Sequence, residues 1–426
     1  MNPSETVTIH RADWVLPMTA PPVQDGAVAV AGDRIAAVGP WREVIGRRPS
    51  GGCREVDHGR AALLPGLVNA HTHLDWSLLQ GRIPDDPPGF PAWVRGLFAQ
   101  REALDPESRR RARSQGREEL HASGTAVAAD VRNPPPEGAE APPPGAFPVE
   151  VRFVEVLGFH LTGLAEAGVS GAVADAPGRS EEAAFHPFRV ETLAAHSLYA
   201  ASPELIREAK EWTRRRGLPF SIHVAEHPEE LEFVQRGTGF CRTLLESLGR
   251  WNPRWRPFGA SPVAALEALG VLDRSTILVH AVYMDDDDWD RVARAGATVC
   301  FCPRSNRFIT GGRPKLKDAL ARGIRVCLGT DSRASNEDLN LFKEAAYGLT
   351  LWGGVGPERI LSMISINGAK ALGVDGAWGR LGPGAAVPFL RVDLGGAVSR
   401  ARDLAEGIVC RGAEGHVQWV MNEWRV

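Results

Sequence analysis

Residues 61–73, AALLPGLVNAHTH, decide how this chain is read: an apolar, strand-like run ends in two histidines that flank a threonine. Side chains alternate along an extended segment, so His71 and His73 project to the same side and can reach one ion at about 2.0–2.1 Å. Three later segments repeat the arrangement. Residues 220–222 lead into His223 and, three positions on, Glu226; residues 277–279 lead into His280; residues 326–330 (VCLGT) lead into Asp331 and Ser332. Strands that each deliver a polar side chain at their C-terminal end are how a parallel barrel assembles one site.

Working outward, strand-like runs near 61–70, 125–131, 151–157, 190–196, 220–226, 276–283, 298–302 and 326–330 make a set of eight. They alternate with helical stretches such as 203–216 and 262–269, each opened by a serine N-cap (Ser202, Ser261) and a proline at the first position. This predicts an α/β fold, a (β/α)8 TIM-like barrel over residues 61–374. The first sixty residues hold short alternating runs such as GAVAV (26–30) and RIAAV (34–38), and residues 387–392, 407–410 (GIVC) and 417–420 read as further strands. Neither end is long enough for its own core, so residues 1–60 and 375–426 are expected to form one small β-sandwich beside the barrel. Residues 133–148 are too proline-rich for helix or strand and read as a loop. The stretch RWNPRWRPF (250–258) is unusually aromatic and has no assigned place.

With 49 Lys+Arg against 52 Asp+Glu, the net charge is −3, so no basic field points to nucleic acid or to an anionic membrane. The expected partner is a small-molecule substrate. The N-terminus does not read as a leader and no apolar run reaches about 18 residues, so a soluble, cytoplasmic protein is expected, with a homodimer left open. Six cysteines at scattered positions make neither a disulfide framework nor a C-x-x-C pair, which leaves histidine and carboxylate as the metal donors.

Taken in order, PGLVNAHTH, IHVAEH, LVHAVYM and LGTDS resemble the amidohydrolase superfamily, in its branch of cytosine, guanine and adenosine-type deaminases. The resemblance covers nearly the whole chain. It implies His71, His73, His223 and Asp331 as metal ligands, with Glu226 and His280 as the acid–base pair. The chemistry agrees: a divalent ion held by three imidazoles and a carboxylate, with a position left for water, supplies hydroxide at neutral pH. Asp331 can ligate and also accept the water's proton, Glu226 can protonate a ring nitrogen, and His280 can steady the developing negative charge. Zinc is the first choice of ion, and iron(II) or manganese(II) suits the same donors.

Many amidohydrolases bridge two ions with a carboxylated lysine on the fourth strand. Here that strand ends in His196-Ser197-Leu198-Tyr199, and the first lysine of the chain is Lys210, so a single ion is expected. The resemblance makes His196 a substrate contact. Trp76, Phe90 and Trp93, after the first strand, can stack on a purine, and Arg82 or Arg304 can pair with a distal anionic group. The runs FPAW, HVAEHPEE, CPRSN and GTDSRASNEDLN resemble a narrower group, the aminodeoxyfutalosine deaminases, whose substrate joins adenine and ribose to a benzoate. That implies deamination of 6-amino-6-deoxyfutalosine to futalosine, a step towards menaquinone. The alternatives are deamination of S-adenosylhomocysteine, methylthioadenosine, guanine or a pterin, or triazine hydrolysis, on the same metal site. A non-catalytic barrel is disfavoured because every ligand position is filled.

Overall fold

The computed structural model describes residues 7–48, 52–83, 89–133, 149–169, 190–396, 398 and 403–420. The expected proline-rich loop lies outside the described residues from position 134 onward.

The first five strands are β1 (Val7–Val15), β2 (Val23–Ala31), β3 (Arg34–Pro40), β4 (Arg54–Asp57) and β5 (Ala61–Pro65). Eight more follow: β6 (Leu67–Thr72), β7 (Thr125–Arg132), β8 (Val149–Val156), β9 (Val190–Ala195), β10 (Phe220–Val224), β11 (Thr276–His280), β12 (Thr298–Phe301) and β13 (Arg325–Leu328). Strands β6 to β13 lie side by side in sequence order, and each neighbouring pair is parallel. They are the eight runs expected from the sequence. Strands β6, β7, β8, β10, β11 and β12 are buried along their whole length, and in β7 and β8 the buried charges of Arg132 and Glu150 pair with each other at 2.7 Å. Between them the helices Pro203–Arg215 and Pro262–Ala268 start as expected: the hydroxyls of Ser202 and Ser261 accept the N–H of Leu205 and Ala264 at 3.2 and 3.1 Å.

The barrel closes where β13 meets β6. A parallel bridge joins Thr72 to Asp331, the Asp331 N–H donates to the His71 carbonyl at 3.1 Å, and the Thr72 hydroxyl donates to the Asp331 carbonyl at 2.9 Å. Buried Asn69 ties the same seam, donating to the Thr330 hydroxyl at 2.8 Å and accepting the Thr330 N–H at 3.2 Å. Gly329 makes this approach feasible, because a Cβ there would lie 2.6 Å from the His71 carbonyl oxygen.

The two chain ends meet in one mixed seven-stranded sheet completed by β14 (Phe389–Asp393) and β15 (Val417–Val420), in the order β15-β14-β5-β1-β2-β3, with β4 also beside β1. Two details of the sequence reading are corrected. Residues 61–65 belong to this end sheet, pairing with β1 and β14, and the barrel starts only after Gly66. Residues 407–410 are not a strand but part of the helix Leu404–Ala413, which buries Leu404, Ala405, Ile408, Val409 and Gly412. That spacing has the helical period, whereas GIVC taken alone is an apolar run too short to show any period. No helix among the described residues is long and apolar enough to cross a membrane.

Gly329→Ala is expected to cost about 1–3 kcal/mol of stability, as overpacking does, whereas Gly353→Ala, which meets nothing within 4 Å, should stay within about 0.5 kcal/mol. Denaturant unfolding of both variants checks this, and equal midpoints would refute the role given to Gly329.

Candidate active site

All seven residues singled out by the four motifs come together at the C-terminal end of the barrel strands. His71 lies near the end of β6 with His73 just past it, His223 near the end of β10, His280 at the end of β11, and Asp331 three residues beyond β13. His280 and Asp331 have φ of 73° and 56°, and Ala225, beside Glu226, has 49°. Non-glycine residues hold such angles only where the surroundings dictate them, and here they turn each side chain off its strand into the barrel mouth.

The Nε2 atoms of His71 and His223 lie 3.2 Å apart, and Asp331 Oδ1 is 3.8 Å from the Nε2 of both His71 and His73. His71 and His223 are buried, and burial together with the neighbouring imidazoles pushes them well below the usual histidine range, so both rings are neutral. Neutral imidazole lone pairs and a carboxylate oxygen facing one another at this range repel unless a cation lies among them. Ligand atoms of three overlapping triads, His71–His73–Asp331, His71–His223–His280 and His73–Glu155–His223, lie within 4.8 Å of one another in each triad, and three histidines and one aspartate drawn from them fit a divalent metal. Asp331 Oδ2 accepts from the hydroxyls of Ser305 at 2.5 Å and Ser335 at 2.8 Å, which leaves Oδ1 to face the imidazoles.

His280 Nε2 sits 3.4 Å from Glu226 Oε1. Asn306 donates to His280 Nδ1 at 2.9 Å, which leaves the ring proton on Nε2, towards the cleft. Burial pushes His280 down to about 4, so it is neutral. Glu226 goes the other way: burial first, then the charges of Asp331 and Glu230, push its carboxyl well above the usual range. Glu230 itself is pushed up to about 7 by burial, and its Oε2 accepts the Glu226 backbone N–H at 3.0 Å.

His196, expected as a substrate contact, lines the same cleft and is held by Glu155, whose Oε1 is 2.7 Å from Nδ1. Burial pushes Glu155 up, yet His196 more than offsets this and leaves its carboxyl below the usual range. Trp76, Phe90 and Trp93 line the cleft as expected. The two arginines chosen from sequence do not. Arg304 is committed to Asp338 at 2.8 Å and Glu337 at 3.1 Å, and exposed Arg82 lies outside the cleft lining. Their places are taken by Arg101 and Arg250, which sequence reasoning missed. Glu155, Glu230, Tyr199 and the bonds from Ser305 and Asn306 were also missed as site features. For Ser305 and Asn306 a signal existed, since both stand in the CPRSN run, whereas buried Glu155 carries none.

The family model described as "Amidohydrolase family" matches residues 62–408. The chain belongs to the amidohydrolase family. This amidohydrolase is 30% identical over 390 residues to a 5-methylthioadenosine/S-adenosylhomocysteine deaminase of Nitratidesulfovibrio vulgaris, covering 87% of this chain and 80% of the relative. It is 31% identical over 396 residues to an aminodeoxyfutalosine deaminase of Deinococcus radiodurans, covering 86% and 83%. Its fold matches the crystal structure of Helicobacter pylori aminofutalosine deaminase in complex with methylthio-coformycin, with a TM-score of 0.80, 19% identity and coverage of 95% and 96%. An adenosine deaminase from Xanthomonas campestris with bound zinc matches with a TM-score of 0.74, 22% identity and coverage of 93% and 88%. The amidohydrolase resemblance and the barrel expected from the sequence therefore hold.

Titrating metal-free protein with zinc, iron(II) or manganese(II) is expected to saturate at about one ion per chain, from the four-donor set. His73→Ala should lose that binding. Elemental analysis reads the stoichiometry, and full binding only at two ions per chain would refute a mononuclear site.

Proposed function

We propose that this amidohydrolase is a hydrolytic deaminase of 6-aminopurine nucleosides, with His71, His73, His223 and Asp331 holding one divalent ion. The observation that carries the reading is the pairing of a buried carboxyl held in its protonated range, Glu226, with a neutral histidine, His280, beside the four-donor cluster. The ion, when bound, acidifies water and so supplies hydroxide at neutral pH. Glu226 gives its proton to the ring nitrogen next to the aminated carbon, which makes that carbon electrophilic. Asp331 takes a proton from the attacking water and returns one to the amine. The Nε2–H of His280 steadies the negative charge that develops as the water oxygen adds. In balance, water adds at the ring carbon, the carbon–nitrogen bond breaks, ammonia leaves, the added hydroxyl gives its proton back to Glu226 as it becomes a ring carbonyl, and the ring nitrogen keeps the proton it received.

Within that class, 6-amino-6-deoxyfutalosine is the first candidate, because the aromatic wall beside His196 suits a nucleoside carrying an aromatic arm. Methylthioadenosine and S-adenosylhomocysteine form the second reading, supported by the comparable likeness to a relative named for them. His196, Trp76 and Trp93 are proposed as the contacts to the nucleoside. The protein is proposed to act in the cytoplasm, on a small molecule rather than on nucleic acid.

Glu226→Gln is expected to keep its metal and lose about two to four orders of magnitude in turnover. Ammonia release from aminated nucleosides, read beside the metal content, checks this. Near-normal turnover in the variant would remove Glu226 as the proton donor, and no release from any aminated purine nucleoside would overturn the deaminase reading.

A further inference from the structure

Beyond the metal centre the cleft changes character. Its outer wall is built from the helix Phe90–Arg101 and the segment that follows the helix Phe240–Ser247, with Trp93, Leu97, Leu244 and Leu248 facing the same space. Leu248, 41% exposed, is the one large hydrophobic side chain left open to solvent among the described residues, and it stands on this rim. Leu248 is continuous with Trp93, Leu97 and Leu244, and a contiguous apolar cleft wall is where an apolar part of a ligand lies.

Two guanidinium groups border the same wall. Arg101 closes the helix Phe90–Arg101 and sits 5.7 Å from the ring centre of Trp76; Arg250 follows Leu248 by two residues. Among the described residues neither half-buried Arg101 nor Arg250, exposed at the rim, forms an ion pair or a side-chain hydrogen bond, whereas Arg113, Arg132 and Arg304, buried or half-buried elsewhere, are engaged with Asp75, Glu150 and Asp338. The carboxylates whose charge reaches Arg101, Glu155 and Asp75, are already held by His196 and Arg113. Burial, then Arg109 and Arg250, push Arg101 below the usual arginine range, as expected for positive groups crowded together without a counter-ion.

The aromatic stretch 250–258 explains how Arg250 is kept there. Trp251 stacks on Phe159 at 5.8 Å, Trp255 stacks on Phe233 at 4.7 Å, and the Arg250 N–H donates to the Leu245 carbonyl at 2.8 Å. The backbone bond to Leu245 and the stacked rings that follow fix the loop, so a flexible side chain projects from an anchored backbone.

From this arrangement we infer that Arg101 and Arg250 form a subsite for a carboxylate, carried at the far end of an apolar arm on the nucleoside, with Leu248 and Leu244 covering that arm. The inference rests on the deaminase reading for where the purine lies, and it narrows the substrate class: neutral nucleosides such as methylthioadenosine leave both arginines unpaired. A guanidinium–carboxylate contact is worth about ten- to a hundred-fold in kcat/KM when it forms in the transition state.

The test compares adenosine with a 5′-linked benzoate derivative of adenosine and with the benzamide of the same arm, in wild type, Arg101→Gln and Arg250→Gln. Wild type should prefer the acid over the amide by about ten- to a hundred-fold in kcat/KM, and each variant should shrink that ratio towards one. An acid-to-amide ratio near one in wild type, or equal loss on both compounds in the variants, overturns the subsite. Adenosine 5′-monophosphate preferred over the benzoate derivative would replace the carboxylate by a phosphate and equally overturn it. Quenching of tryptophan fluorescence by the acid and the amide reads affinity without turnover. Tighter acid binding lost in the variants supports the subsite in a protein that releases no ammonia, a result that would sink the deaminase reading alone; equal affinities overturn the subsite whether or not the protein deaminates.

Discussion

The contact on which the rest depends is the seam between β6 and β13, where Asp331 donates its backbone N–H to His71 and receives the Thr72 hydroxyl on its carbonyl. One short segment thereby closes the barrel and sets two of the four proposed metal donors against each other. The closeness is steric before it is electrostatic: Gly329 has no side chain, and a single Cβ there would press on His71. Asn69, buried between the two strands, uses both ends of its amide to fix the register. A slip at this seam would move His71 relative to Asp331 and scatter the donor set.

Above the seam the barrel mouth holds His71, His223 and His280, all kept neutral by burial, beside the carboxyl groups of Glu226 and Asp331. Burial makes this workable by different routes for different groups. It keeps His71 and His223 uncharged, so their lone pairs are available, and it keeps Glu226 protonated, so it can give a proton away. The hydroxyls of Ser305 and Ser335 hold Oδ2 of Asp331, which fixes the direction in which Oδ1 faces the imidazoles. The positive φ at His280 and Asp331 is the backbone strain of aiming strand-end residues inward, offset by the hydrogen bonds that hold them.

The outer cleft obeys different physics. Its walls are aromatic and aliphatic side chains from the helix Phe90–Arg101 and the loop after Ser247, elements attached to the barrel rather than part of its strands. Changes there alter which arm of a substrate is accepted without touching the donor set. Barrels separate the two tasks in this way because rigid strand ends carry the chemistry while the loops above them carry selection.

The eight barrel strands were legible in the chain because each is a local pattern, an apolar run of strand length ending in a polar residue; the same runs pointed to His71, His73, His223, Glu226, His280 and Asp331 as one cluster, while the roles proposed for them came from the family resemblance. Caps at Ser202 and Ser261 were legible for the same reason. Three things were decided only by tertiary structure. Residues 61–65 look like one strand with 67–72, and only pairing with β1 and β14 places them in the end sheet. Residues 407–410 look extended until their helical neighbours pack, with Gly412 fitting closely against Phe342. Arg304 and Arg82 are no different in sequence from Arg101 and Arg250; in the fold Asp338 claims Arg304, Arg82 lies exposed outside the cleft lining, and Arg101 and Arg250 border the cleft. Local periodicity is written in consecutive residues, but the partner of a long flexible side chain is chosen by elements far apart in the chain.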